Sequence, residues 1–150
     1  MAFWLMKSEP NTYSIDNLKK DKVTYWDGVR NYQARNFMKE MKKGDLVIFY
    51  HSNAKPPAAV GVAKIAKEAY PDPTQFQKQS KYFDPKATKE NPRWFCPDVR
   101  FVKKFKTELP LEELRSEKKL KDMVLLRKGS RLSVQPVTAA EFKHLEKLGS

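Results

Sequence analysis

The segment Tyr25–Asn36 carries the side chains that are best suited to hold a nucleobase. Trp26 offers a wide aromatic face on which a base can stack, and Asp27 can accept a hydrogen bond from an exocyclic amino group such as N4 of cytosine. Arg30 and Arg35 stand near the predicted start of a helix, where free backbone N–H groups and the helix dipole favour phosphate. A second interpretation stays open, in which Trp26 belongs to the core, Asp27 caps the helix and both arginines lie in solvent.

Two further polar clusters stand where strands are predicted to end. Lys7–Pro10 follows the first apolar run of the chain, and Tyr50–Asn53 closes a later one. Either cluster can line the mouth of a pocket, although an ordinary polar turn is the alternative for the first. Adjacent residues on an extended chain point to opposite faces, so His51 and Ser52 are not expected to meet as base and nucleophile. We therefore expect hydrogen bonding rather than catalysis from this second cluster.

The composition favours a polyanionic partner and excludes several classes of site. The 150 residues carry 30 Lys and Arg against 18 Asp and Glu, a net charge of +12. Phosphate backbones are the commonest partners of such a field, although charge also serves solubility. Cys96 is the only cysteine, and His51 and His144 lie far apart in sequence, so we expect no disulfide and no metal site. The five glycines match neither the P-loop nor the dinucleotide fingerprint, so we also expect no cofactor.

The sequence also indicates where the protein works. No apolar run approaches the length of a membrane span, and Met1–Lys7 lacks the pattern of a signal peptide. We therefore expect a cytoplasmic protein without a membrane partner, or a nuclear one if the source is eukaryotic.

Apolar periodicity and turn residues predict the strands and helices that would position these side chains. The predicted strands are Phe3–Met6, Val23–Tyr25, Leu46–Tyr50, Val60–Ile65, Asp98–Phe105 and Leu132–Val137. The predicted helices follow an N-cap at Ser14, span Asn31–Lys42, start at Pro110 and run from the capping box at Thr138 through Leu148. Tyr70–Pro97 is predicted to be a long irregular excursion. This order indicates an α+β fold in which short helices flank a curved sheet or barrel.

Five segments, taken in order along the chain, resemble the EVE domain family. They are Trp4–Pro10, Trp26–Asn36, Phe49–Asn53, Lys67–Asp72 and Arg131–Val137. The resemblance covers essentially the whole chain, and without a long N-terminal extension the sequence is similar to the stand-alone bacterial form. It implies a single PUA-like domain over residues 1–150, a small mixed β-barrel with flanking helices that is distantly like the YTH readers of methylated adenine. It also implies binding of modified bases, with modified cytosine in DNA as the leading ligand.

The resemblance places a base pocket and a phosphate-binding surface on this sequence. It implies that Trp26 forms one aromatic wall, with Asp27 beside it and Lys7 and Ser8 at the strand-end edge. The full pocket is expected to comprise Trp26, Asp27, Lys7, Ser8, Glu9, Gly28, Val29, Tyr50, His51, Ser52 and Tyr70. Backbone contacts are expected from Arg30, Asn31, Arg35, Asn36, Lys39 and Asn53. The second wall stays open among Tyr70, Tyr82, Phe83 and Trp94.

The same comparison with YTH domains bears on the ligand. A small polar residue follows the Trp of YTH domains, and an Asn lies beyond their Lys-Ser pair. Here Asp27 and Glu9-Pro10 stand at those places, which suits a ligand with a donor amino group. The leading hypothesis is therefore a non-enzymatic module that captures a flipped modified cytosine. The alternatives are a module for modified RNA and a small hydrolase of modified nucleosides that would use Lys7, Glu9 and Asp27.

Overall fold

The computed structural model describes residues 1–150. Its strands are β1 (Phe3–Ser8), β2 (Val23–Tyr25), β3 (Leu46–His51), β4 (Ala58–Pro71), β5 (Phe95–Pro110) and β6 (Val134–Val137). Its helices are α1 (Ile15–Asp21), α2 (Tyr32–Glu40), α3 (Leu111–Arg115) and α4 (Ala139–Gly149). Short 3-10 turns occupy Pro73–Phe76, Lys118–Leu120 and Val124–Leu126. No helix combines the length and the apolarity that a membrane crossing requires.

All six strands belong to one mixed sheet in the order β2-β5-β4-β3-β1-β6. The pair β1–β3 is parallel, and every other neighbouring pair is antiparallel. The predicted α+β fold with short flanking helices is confirmed. The sheet does not close, because β2 and β6 each have one neighbour only, so the expected barrel describes it approximately. The prediction that residues 1–150 form one domain stays a prediction.

Side chains on the two faces of the sheet belong to two separate cores, as the alternation along a strand requires. Met6 and Phe49 lie with α1 and α2 in one core, which includes the buried ring of Trp26. Leu5 and Tyr50 lie with α3 and α4 in the other. The pocket described below opens beside the first core, so a strand residue can reach it only from that face or from a strand end.

Short sequence patterns correctly predicted where the helices α1 and α4 start. The Ser14 hydroxyl accepts from the Asn17 N–H at the start of α1, and Thr138 and Glu141 form the predicted capping box of α4. Asn31 rather than Asp27 caps α2, because its Oδ1 accepts from the Ala34 N–H at 2.9 Å. The carboxylate of Asp27 is therefore left available for another task.

The strands β4 and β5 are much longer than their apolar runs predict. They span 14 and 16 residues and pair through several register shifts. Each shift offsets the pairing by one or more residues and breaks the alternation that predicts which side chains share a face. The irregular excursion consequently shrinks to residues 72–94, and it includes the 3-10 turn at Pro73–Phe76.

Candidate functional site

The two edges of the sheet border one open cleft of about 900 Å³. Thr24 and Tyr25 of β2 line it from one edge, and Ser133, just before β6, lines it near the other. Because β2 and β6 are the outermost strands, the sheet must curl strongly for both to reach the same space. A cleft of this size is ample for a small ligand such as a nucleobase.

Trp26 forms a fixed aromatic surface at this cleft. Its side chain lines the cleft although only 8% of the residue is exposed. The ring stands edge-on to Phe49, with 5.4 Å between ring centroids and 82° between planes. Its backbone N–H donates to the carbonyl of Pro97 at 3.0 Å, which continues the β2–β5 pairing. Trp26 is thus both a core residue and a wall, so the two sequence interpretations of this ring do not exclude each other.

Tyr82 supplies a second aromatic ring from the irregular excursion. It is the one among Tyr70, Tyr82, Phe83 and Trp94 that lines the cleft. The ring lies directly against Gly28, where an added Cβ would come within 2.5 Å of Tyr82 Cζ. Gly28 also has φ +84°, a conformation that side chains disfavour. Glycine at position 28 therefore lets the ring of Tyr82 pack directly on the backbone, two residues after Trp26 in the chain.

Arg30 holds the excursion in place. Its guanidinium makes five hydrogen bonds, two to the carbonyl of Tyr82 and one each to Val29 O, Asp72 Oδ2 and Thr74 Oγ1. Those bonds use all five N–H donors of the side chain. Asp72 is itself buried and accepts from the Gly28 N–H at 2.8 Å. The network joins the Trp26–Arg30 turn to the chain that carries Tyr82.

The polar edge of the cleft presents acceptors. Burial raises the pKa of the Asp27 carboxyl and the nearby Asp72 raises it further, while Arg30 and Lys81 act in the opposite direction. The only hydrogen bond that favours its charged form comes from its own backbone. Ser8 donates its hydroxyl proton to Tyr13 O at 2.6 Å, so its oxygen can only accept from a ligand.

Lys7, which directly precedes Ser8 in the chain, also lines the cleft. Burial lowers the pKa of its ammonium group, which makes no ion pair with a carboxylate. Its Nζ lies 6.0 Å from the centroid of the Tyr50 ring, so the ammonium group points to the face of the sheet that carries the second core. The raised pKa of Asp27 is therefore the shift that marks the cleft as a candidate functional site.

Comparison with known proteins gives the same assignment as the sequence motifs. Residues 2–148 match the EVE domain. The chain belongs to the EVE domain family. Human thymocyte nuclear protein 1 is 48% identical over 94% of this chain and 71% of its own length. A protein from Pseudomonas syringae of known crystal structure superposes with a TM-score of 0.96 and 48% identity over 99% of this chain and 100% of that one. Human THYN1, crystallised in complex with DNA containing 5-methylcytosine, superposes with a TM-score of 0.94 and 45% identity over 100% of this chain and 98% of that one.

Most residues that sequence analysis assigned to the pocket of this EVE domain do line the cleft. They are Lys7, Ser8, Glu9, Trp26, Asp27, Gly28, Val29 and Ser52. Tyr50 does not, because strand alternation turns its ring to the opposite face of the sheet. His51 lies outside as well, and its Nε2 accepts from the Ile15 N–H at 3.1 Å. Tyr70 points elsewhere on β4 and donates to Asp98 Oδ1 at 2.5 Å.

The residues assigned to the phosphate backbone are mostly committed to the EVE fold or distant from the cleft. Arg30 lines the cleft but has no free donor, and Asn53 donates to Glu9 Oε1 at 2.7 Å. Arg35 donates to Arg93 O and lies 4.8 Å from the centroid of the Tyr32 ring. Four of the assigned residues do not line the cleft: Asn31, Arg35, Asn36 and Lys39.

Several lining residues were absent from the sequence assignment. They are Thr12, Tyr13, Thr24, Tyr25, Lys81, Tyr82, Ser130, Arg131 and Ser133, of which only Tyr82 was a candidate for the wall. Two segments that the sequence analysis singled out contain some of these residues: Tyr25–Asn36 begins with Tyr25, and Arg131–Val137 includes Arg131 and Ser133. Most of the others reach the cleft from loops whose path depends on contacts between distant parts of the chain, which no local pattern records.

Proposed function

We propose that this EVE domain binds DNA and captures one modified cytosine in the cleft, between Trp26 and Tyr82. One observation carries the proposal: Trp26 and Tyr82, whose ring packs against Gly28, line the same cleft as a half-buried Asp27 whose carboxylate accepts from no other side chain. The relative human THYN1, which was crystallised with DNA containing 5-methylcytosine, matches this chain over its whole length.

The energetics of base capture are favourable with these groups. Taking a base out of its stack costs a few kcal/mol, and stacking on an aromatic side chain returns about 1–3 kcal/mol per base. Two rings and a hydrogen bond from N4 to Asp27 can therefore offset the cost. Burying a methyl group adds about 0.8 kcal/mol, so the shape of the cleft must contribute to any preference for methylcytosine over cytosine.

Replacement of Asp27 by Asn tests how the base is read. Asp27→Asn keeps the size of the side chain but exchanges one acceptor for an NH₂ group that can serve O4 of thymine. We expect weaker binding of cytosine and methylcytosine and a loss of about 1–3 kcal/mol in their preference over thymine. The measurement is a titration of folded protein with matched oligonucleotides that differ in that base. Asp122→Asn, at an exposed site with the same change of charge, is the control. Parent-like preference in Asp27→Asn would show that Asp27 does not read the base.

The raised pKa of Asp27 predicts that base preference depends on pH. Above this pKa the carboxylate only accepts, which favours the amino group of cytosine. Below it the carboxyl group gains an O–H that can donate to O4 of thymine, so the preference for cytosine falls as the pH falls. Because burial raises the pKa of Asp27, the preference for cytosine begins to fall at a higher pH than it would with an ordinary Asp, whose pKa is about 3.9. The ratio of the two affinities, measured from neutral pH downwards, should change in the parent and stay constant in Asp27→Asn. A constant ratio in the folded parent contradicts the prediction.

An RNA target is the alternative within the same class of function. The cleft would be shared, and the 2′-hydroxyl would distinguish the two ligands. Titration with RNA of the same sequence separates them, since tighter binding of the RNA would reverse the assignment to DNA.

We also propose that the domain is not an enzyme. His51 uses Nε2 to accept from Ile15, and burial lowers its pKa, so it is not placed to activate Ser52. Burial raises the pKa of the Cys96 thiol to about 12, which leaves no thiolate nucleophile. A second candidate is hydrolysis of an acylated cytidine, because Lys7, Glu9 and Asp27 line one cleft. Product release by the parent that is lost in Lys7→Met would establish that candidate. The cytoplasmic location likewise stays a prediction.

A further inference from the structure

A basic loop forms the rim of the cleft near the β6 edge of the sheet. The loop, residues 127–133, connects the 3-10 turn Val124–Leu126 to β6 and will be called the 127–133 loop. Its end is tied to β1, because the Lys7 N–H donates to Ser133 O at 2.8 Å. Gly129, with φ +77° and no atom within 4 Å of a Cβ built there, turns the loop in open space. The loop thus stands at the opposite end of the sheet order from β2, the strand that Trp26 directly follows.

The cations of this loop are free, unlike Arg30. Arg127, Lys128 and Arg131 are exposed, and none of them makes an ion pair or a side-chain hydrogen bond. Arg131 lines the cleft itself. Arg30, in contrast, has spent all of its donors on the excursion.

Ser130 adds a hydroxyl group that lacks a partner. It lines the same cleft beside Arg131, and its Oγ is buried without any hydrogen bond. A buried hydroxyl without a partner is costly and calls for a ligand group or a water molecule. A guanidinium fork next to an O–H donor suits the two free oxygens of a phosphodiester.

We infer that the 127–133 loop binds the phosphodiester next to the captured base, with Arg131 and Ser130 as the contacting residues. This inference rests on the proposed function, because it places the backbone of the strand whose base enters the cleft. It moves the phosphate site from Arg30, Arg35 and Lys39 to the opposite edge of the sheet. A free oxyanion shares the chemistry of a phosphodiester, so the experiment must separate the two sources.

The salt dependence of oligonucleotide binding tests the site. Each phosphate contact contributes about 0.7–0.9 to the slope of log affinity against log salt concentration. Arg131→Gln should lower the slope by about that amount and weaken cytosine, methylcytosine and thymine oligonucleotides alike. Arg131→Lys, which keeps the charge, should restore the slope. Arg100→Gln removes the same charge from an exposed site outside the cleft and should behave as the parent.

The outcomes separate this inference from the proposed function. A parent-like slope in Arg131→Gln, with the base preference retained, overturns the inference and leaves the proposed function standing. A parent that binds all bases equally overturns the proposed function, whatever the slopes are. Replacement of chloride by inorganic phosphate at constant ionic strength should leave the affinity within about twofold. Inorganic phosphate that binds the parent more tightly than the oligonucleotide does, and loses this binding in Arg131→Gln, would overturn the phosphodiester in favour of a free oxyanion.

Discussion

Replacement of Arg30 by Gln should lower the free energy of unfolding by about 2–4 kcal/mol, the largest loss that we expect from any single polar substitution in this chain. The change removes a guanidinium that makes five hydrogen bonds and leaves the carboxylate of Asp72, whose side chain is 1% exposed, without its cation. An unpaired buried charge costs more than the pair contributes. For a chain of this length the melting temperature should fall by roughly 5–15 °C. Thermal or urea unfolding of the purified variant measures the loss.

A matched arginine and a double variant make this prediction specific. Arg35→Gln removes the same charge five residues away, where the guanidinium donates only to Arg93 O and Asn36 Oδ1 and lies over the Tyr32 ring. This change should cost less than about 1 kcal/mol. Asp72→Asn combined with Arg30→Gln should cost less than the sum of the two single changes, because the buried charge is removed with its partner. Equal losses in Arg30→Gln and Arg35→Gln would contradict the anchoring role of Arg30.

The elements of the fold were predictable because the signals that define them are local. Ser14 and Thr138 start helices through capping contacts three residues long, and both positions were assigned from sequence. The continuous apolar runs of β1 and β3 likewise mark strands that are buried on both faces. Resemblance of the chain to the EVE domain family added the PUA-like architecture, a mixed sheet with flanking helices.

The pairing of strands that are distant in sequence was not predictable in the same way. Register shifts in the β4–β5 pair lengthen both strands and set where Tyr70 points. Tyr50 shows the same limit, because a strand-end residue can face either side and the register decides which. A one-residue difference in register reverses the face, so local periodicity could not exclude either residue from the pocket.

Functional roles were hardest to predict where one residue type serves two purposes. Arg30 stands at a helix start, as a phosphate ligand would, yet its partners are Asp72, Thr74 and Tyr82, more than 40 residues away. Arg131 was not assigned a role because its loop reaches the cleft only when the sheet curls. Sequence indicated that the chain is basic, while the structure shows which cations remain free.

Gly28→Ala should abolish the close approach of Tyr82 and so impair folding and base binding together. An alanine Cβ would lie 2.5 Å from Tyr82 Cζ, closer than unbonded carbon atoms can approach, and φ +84° adds strain of about 1–2 kcal/mol. Displacing the ring from this site adds about 1–3 kcal/mol of packing cost, for a total loss in unfolding free energy of about 2–5 kcal/mol. Loss of one stacking wall should weaken binding of a methylcytosine oligonucleotide by about 1–3 kcal/mol.

A double-mutant cycle with Tyr82→Ala separates the steric effect from the backbone strain. In the Tyr82→Ala protein the ring is already gone, so adding Gly28→Ala should cost only the strain at this φ, and it should not weaken base binding further. Unfolding and oligonucleotide titration of the four proteins give both coupling energies. Gly129→Ala is the control for the strain alone, because Gly129 also has a positive φ, +77°, but no neighbouring atom within 4 Å of its Cβ position. If Gly28→Ala costs the same with and without the Tyr82 ring, then Tyr82 does not rest on Gly28, and the assignment of Tyr82 as the second wall is wrong.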